Sequence, residues 1–172
     1  MFYKIVVPGP EPGTYLSCHG GTHTWVPGVT YGPVPVAPCC SGFHACRARD
    51  LTIWLADGMV VFEVELAGVV VEYNKVVGST ATLGRRLGTL TLEGMVEFAR
   101  RCAGRTGVGA VRYVATVYDA GEVGSSAADA AAYAADRAGL AAGEAAACAD
   151  ADAAYRAERE LQGQDILSLL VP

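Results

Sequence analysis

Hydrophobic and polar residues alternate over positions 59–68. Val60, Phe62, Val64 and Leu66 fall on one side of an extended chain, and Val61, Glu63 and Glu65 on the other, which predicts a strand. "YKIVV" and "GTYLSC" read as short strands on either side of a Pro/Gly loop. "VVVEYNKVV" and "STATL" extend the β-rich region, with bends at Gly68 and Asn74. Residues 20–40 carry four prolines and four glycines, so regular helix is not expected there. Over 47–55 the spacing of Cys46, Ile53 and Trp54 turns helical, and Asp57 and Gly58 end the element. "TLEGMVEFARRCAG" predicts a helix with Thr91 as N-cap, a face of Leu92, Met95, Val96, Ala99 and Cys102, and Gly104 as its stop. "GAVRYVATVY" is read as a strand from its Val/Tyr content, with the start of the following helix as the alternative.

From Ser125 the pattern changes, and 18 of the 31 residues over 127–157 are alanine. Alanine favours helix by propensity alone, Ser126 can cap, and Asp129 suits the positive helix end. Gly139 and Gly143 either divide this helix or weaken it, and Tyr133, Leu140 and Tyr155 are its few large side chains. Because alanine buries little area, the helix must pack closely on a surface or stand solvated. The closing "LQGQDILSLL" supplies Ile166, Leu169 and Leu170 for docking. The expected architecture is α+β: a twisted, mostly antiparallel sheet with few short helices over 1–118, then an alanine-rich helical tail over 125–172. Such a tail can also support helix-mediated homo-oligomers.

A net charge of −5 argues against a dedicated nucleic-acid surface and leaves nucleic acid only as an acceptor. Mean hydropathy is +0.28, yet no apolar run approaches the ~20 residues of a membrane span. The opening "MFYKIVVPGPEPG" is too short and too proline-broken for a signal peptide. A cytoplasmic protein with six reduced cysteines is therefore expected.

All three histidines and four of the cysteines fall between Cys18 and Cys46. Zinc is the first chemistry this invites, with Cys18, His19, His23, Cys39, Cys40, His44 and Cys46 as the ligand pool. The nearest approach to zinc spacing pairs Cys18 with His23 and Cys40 with His44, without a matching Cys-x2-Cys. Packed thiols and hydrogen-bonded imidazoles are favoured over a metal. Cys46 near a helix start, close to His44, is a second idea: a thiol activated by the helix dipole.

Order along the chain adds a third. "YLSCHGG" ends a strand, "SGFHACRARD" leads into a helix, "VFEVELAG" follows as a strand, and "EYNKVV" brings a glutamate. This order resembles the core of ADP-ribosyltransferases of the poly(ADP-ribose) polymerase and diphtheria-toxin type, with histidine where that family has tyrosine in the second motif. The resemblance implies NAD as cofactor and a pocket between "CHGG" and "GFHAC". His19 would hold the adenosine ribose, His44 would stack on nicotinamide, and Glu72 would stabilise the ribosyl cation, with Glu63 and Glu65 as competing carboxylates. Gly20 and Phe43 in the two motifs are the implied cofactor contacts. Arg47, and with it Arg49, Arg85 and Arg86, lies near enough in sequence to receive phosphates.

"WVPGVTY", "CCSGFHAC", "IWL", "VELAG" and "KVVGSTATLGRRL" span residues 25–87. Together they resemble a group of uncharacterised proteins of actinobacteria and their phages, some closing on a tail similar to "ERELQGQDILSLL". This implies a phage or mobile-element gene and carries no activity. Two function classes follow: an NAD-dependent ADP-ribosyltransferase-like enzyme, or a non-catalytic accessory or anti-defence protein that binds a host or phage protein. A small zinc-stabilised binding domain is the third.

Overall fold

A computed structural model describes residues 1–18, 22–56, 58–106, 127–145 and 151–172. His19, Gly20, Asp57, Ser125, Ser126 and the strand expected over 109–118 lie outside the described residues. Among the described residues nine strands form two antiparallel sheets, and the fold is α+β.

The strands are β1 (Phe2–Pro8), β2 (Tyr15–Ser17), β3 (Thr24–Trp25), β4 (Thr30–Tyr31), β5 (Phe43–Ala45), β6 (Val60–Ala67), β7 (Val70–Val71), β8 (Val76–Gly78) and β9 (Thr80–Thr89). A 3-10 helix, Ala48–Trp54, follows β5. Helices α1 (Leu92–Thr106), α2 (Ala127–Ala145) and α3 (Ala151–Ser168) complete the chain. The larger sheet runs β3-β2-β1-β6-β9-β4 and the smaller β5-β8-β7.

The alternation in β6 divides two cores. Val61 joins Tyr3, Ile5, Leu51, Met59, Phe98 and Ile166 under the helices, whereas Val60, Phe62 and Val64 join Val6, Trp25, Val76 and Leu83 between the two sheets. A strand buried on both faces needs this two-sided apolar content, and Glu63 and Glu65 fall where β6 runs out of the helical layer. Residues 26–29 alone connect β3 to β4, the two edge strands of the larger sheet, so the sheet curls until its edges meet. The Val26 N–H donates to the Tyr31 hydroxyl at 2.9 Å across that seam.

The alanine-rich helices belong to the first core. Ala131, Ala134, Ala135 and Ala138 of α2 are buried there with Ile166 of α3, and partly buried Leu169 and Leu170 pack on it. Tyr133 and Leu140, expected as anchors, are exposed. Small side chains let backbones approach, and close approach here does the work large anchors would do elsewhere. Gly139 lies inside α2 rather than dividing it, and Tyr155 packs over it. The Gly104 stop is likewise displaced, because α1 continues to Thr106. Thr91 does cap α1, accepting from the Gly94 N–H at 3.1 Å. Arg105 joins α1 to α3 through Glu158 (2.9 Å) and Asp165 (2.6 Å). Among the described residues, no helix is long and apolar enough to cross a membrane.

Candidate ligand-binding cleft

A cleft of about 690 Å³ opens where β5 and the preceding loop face β1, β3 and β4. One wall is aromatic. Trp25 and Tyr31 meet edge to face at 5.4 Å between ring centroids, Phe43 lies 5.6 Å from Trp25, and His23 sits among all three at 4.3–5.7 Å. The curl of the larger sheet brings Trp25 of β3 beside Tyr31 of β4, and the smaller sheet adds Phe43 from β5. The buried His23 Nε2 has no hydrogen-bond partner among the described residues, and its ring is bounded by aromatic edges and faces instead. Burial, then the nearby Lys4 charge, lowers the His23 pKa, so the ring is neutral.

"GFHA" is itself a strand, and the helix expected over 47–55 follows it as the 3-10 helix Ala48–Trp54. Gly42, at φ 105°, reverses the chain, and Phe43, His44 and Ala45 pair with Gly78, Val77 and Val76 as strand β5. Phe43 and His44 both line the cleft. The His44 Nε2 accepts the Cys39 N–H at 3.3 Å, which fits a neutral imidazole; burial, Lys4 and Lys75 all press its pKa down.

Glu72 is not carried by a strand. It begins the 72–75 turn joining β7 to β8, closed by the Glu72 N–H donating to the Lys75 carbonyl at 2.9 Å. Arg47 fixes this turn: its Nη2 donates to the carbonyls of Tyr73 (2.6 Å) and Glu72 (3.3 Å), while its Nε is paired with Asp50. Trp54 adds a hydrogen bond to the Asn74 carbonyl at 2.9 Å. Arg47 is therefore committed to the turn, and a phosphate would have to displace these bonds. The turn sets Lys75 in the cleft lining, with the Glu72 carboxylate 3.4 Å from its ammonium at the rim. Glu63 pairs with Arg85 at 2.6 Å and Glu65 is exposed; neither lines the cleft.

The cysteines divide sharply. Cys39 and Cys40 are exposed, so they do not pack around the turn as the sequence led us to expect. Cys46 is buried and its pKa is raised to about 12, chiefly by burial, which overturns the expectation of a dipole-activated thiol. Burial likewise raises Cys18 to about 11 and Cys102 to about 12. Among the described residues, no group of three or more His, Cys, Asp or Glu side chains is placed to hold a metal ion.

Sequence reasoning missed Lys4 and Lys75. Lys4 projects from β1 into the cleft, donates to the His44 carbonyl at 2.9 Å and lies 5.1 Å from the Trp25 ring centre. Although the residue keeps partial exposure, the surrounding strands remove most water from the ammonium and lower its pKa to about 8. Lys75 donates to the Cys39 Sγ at 2.6 Å and has Glu72 beside it; first the Cys39 contact, then Glu72, raises its pKa. One signal was available: the chain has two lysines against eleven arginines, and both lysines are here. Comparison of the chain with family models, curated proteins and solved structures finds no match.

Proposed function

We propose that the cleft binds NAD, or a nucleotide of the same build, and that the protein is an ADP-ribosyltransferase-like enzyme. The observation behind this reading is the composition of the lining: the rings of Trp25, Tyr31, Phe43 and His44 with two lysines and, among the described residues, no carboxylate. Flat aromatic walls suit nicotinamide or adenine, and paired ammonium groups suit a diphosphate. A neutral His44 matters here, because the nicotinamide ring of NAD is cationic and an imidazolium would repel it. The Glu72 carboxylate lies 3.4 Å from the ammonium of Lys75 in the lining; leaving Lys75, it would face the ribosyl carbon as nicotinamide departs. Phe43 joins the stacking wall, and His19 and Gly20 would meet the adenosine side. In this reading the chain is a cytoplasmic phage or mobile-element enzyme acting on a protein or nucleic-acid acceptor.

The test is incubation with labelled NAD, with and without nucleic acid or cell lysate. Glu72→Gln should lower nicotinamide release at least about 100-fold while NAD still binds. Failure of the wild-type chain to bind NAD at millimolar concentration refutes the reading. A second reading, a non-catalytic accessory protein that docks a protein partner, is favoured by the exposed Val70, Val71 and Tyr73 of the β7–β8 hairpin.

A further inference from the structure

We propose that Lys4 is a nucleophilic amine that condenses with the carbonyl carbon of a planar, anionic aldehyde or ketone held in the cleft. Apart from Lys4 and Lys75 the strongly basic side chains of this chain are all arginine, whose guanidinium stays protonated; only lysine can present a neutral nitrogen. Strand β1 holds Lys4 rigidly, since Lys4 pairs with Phe62 of β6 and the neighbouring Tyr3 bridges to Cys46 on the other side. Its nitrogen has one fixed acceptor, the His44 carbonyl, and no carboxylate pairs with it among the described residues. The titratable groups around it are the thiols of Cys18 and Cys46 and the imidazoles of His23 and His44. All four are uncharged near neutral pH, because burial raises the thiols and lowers the imidazoles. Among the described residues no anionic group holds Lys4 in its ammonium form against burial, so a substantial fraction is neutral amine that can react.

Lys75 is the internal contrast. Its Nζ lies 3.4 Å from the Glu72 carboxylate and 2.6 Å from the Cys39 Sγ, which keeps it an ammonium and suits it to pair with an anionic substituent. The chemistry balances without a redox partner. The neutral Lys4 nitrogen adds to the carbonyl carbon, its two protons pass through solvent to the carbonyl oxygen, that oxygen leaves as water, and a C=N bond forms. The Trp25, Tyr31 and Phe43 rings would cover the faces of the attached ring. This inference uses the same cleft as the NAD reading but does not depend on NAD.

The test uses pyridoxal 5′-phosphate, a planar ring with an aldehyde and a phosphate, on the full chain at pH 7.5. Borohydride reduction and peptide mass mapping follow. Relative to an ordinary lysine, a pKa of about 8 leaves Lys4 roughly 200-fold more neutral amine at that pH. Lys4 should be labelled at least about tenfold faster than Lys75, half-maximally near pH 8, and the preference should vanish in urea. Pyridoxal lacking the phosphate should label Lys4 more slowly. Lys4→Arg should lose this label; should that variant not fold, the wild-type map decides alone. Equal labelling of the two lysines, or a Lys4 preference that survives urea, overturns the proposal. NAD binding without Lys4 trapping removes this inference alone, and trapping without NAD binding removes the other reading alone.

Discussion

Gly163 and Gly104 both sit inside helices, and helix propensity alone predicts that alanine at either site stabilises by about 1 kcal/mol. The packing predicts opposite signs. A Cβ on Gly163 of α3 would lie 2.2 Å from the Ala48 carbonyl oxygen, 2.5 Å from its carbon and 3.0 Å from the Arg49 nitrogen. All three are backbone atoms of the 3-10 helix, so no side-chain rotation relieves the contact. α3 and the 3-10 helix must separate by about 1 Å, opening the core around Leu51 and Ile166. Overpacking of this kind costs about 3 kcal/mol, which outweighs the propensity gain and leaves a net loss of about 2 kcal/mol. At about 2–4 °C per kcal/mol for a chain of this size, Gly163→Ala should lower Tm by roughly 4–8 °C. Among the described residues a Cβ on Gly104 meets no atom within 4 Å, so Gly104→Ala should raise Tm by roughly 2–4 °C. Thermal unfolding followed by circular dichroism on the two variants measures both. A neutral or stabilising Gly163→Ala would refute the docking of α3 on the 3-10 helix, and with it the account of how the helical layer covers the larger sheet.

Gln162 is fully buried and its amide donates to the Ala135 carbonyl (2.9 Å) and the Glu158 carboxylate (3.0 Å); Gln162→Leu should destabilise by about 1–3 kcal/mol in urea titration. Thiol alkylation at neutral pH should reach Cys39 and Cys40 quickly, and Cys18, Cys46 and Cys102 only on unfolding, because burial holds those three as thiols. Two opposed linkages act at alkaline pH. The unfolded chain keeps the Lys4 proton above pH 8 when the folded chain releases it, so Lys4 alone adds about 1 kcal/mol of stability from pH 8 to 9. The three buried thiols act oppositely: the unfolded thiols ionise from about pH 8.5 upward while the folded ones hold their protons to about 11–12, so together they remove about 1 kcal/mol over the same interval. Urea unfolding should therefore find the wild type nearly level from pH 8 to 9 and Lys4→Met losing about 1 kcal/mol there; a variant that stays level would disprove the assignment to Lys4.

Several elements were legible because their cause is local. The period-two pattern of β6, the Thr91 cap and the alanine propensity of α2 and α3 depend on residues a few positions apart. The antiparallel α+β class followed from counting such elements. What fixed the cleft is non-local. "GFHA" became a strand because β8, more than thirty residues later, offers it a hydrogen-bonding edge. Glu72 became a turn residue because Arg47 and Trp54 bind the carbonyls of residues 72–74. Lys4 read as an ordinary charged residue near the start of a strand; its lowered pKa exists only because β2, β5 and the aromatic wall close around it. The sequence by itself determined the long periodic elements, β6, α1, α2 and α3, and the antiparallel α+β class they imply. Which side chains share a cavity, and so which nitrogen is a charge and which a nucleophile, the tertiary structure alone decided. Desolvation depends on the atoms that surround a group in space, and the positions beside it in the chain do not specify them.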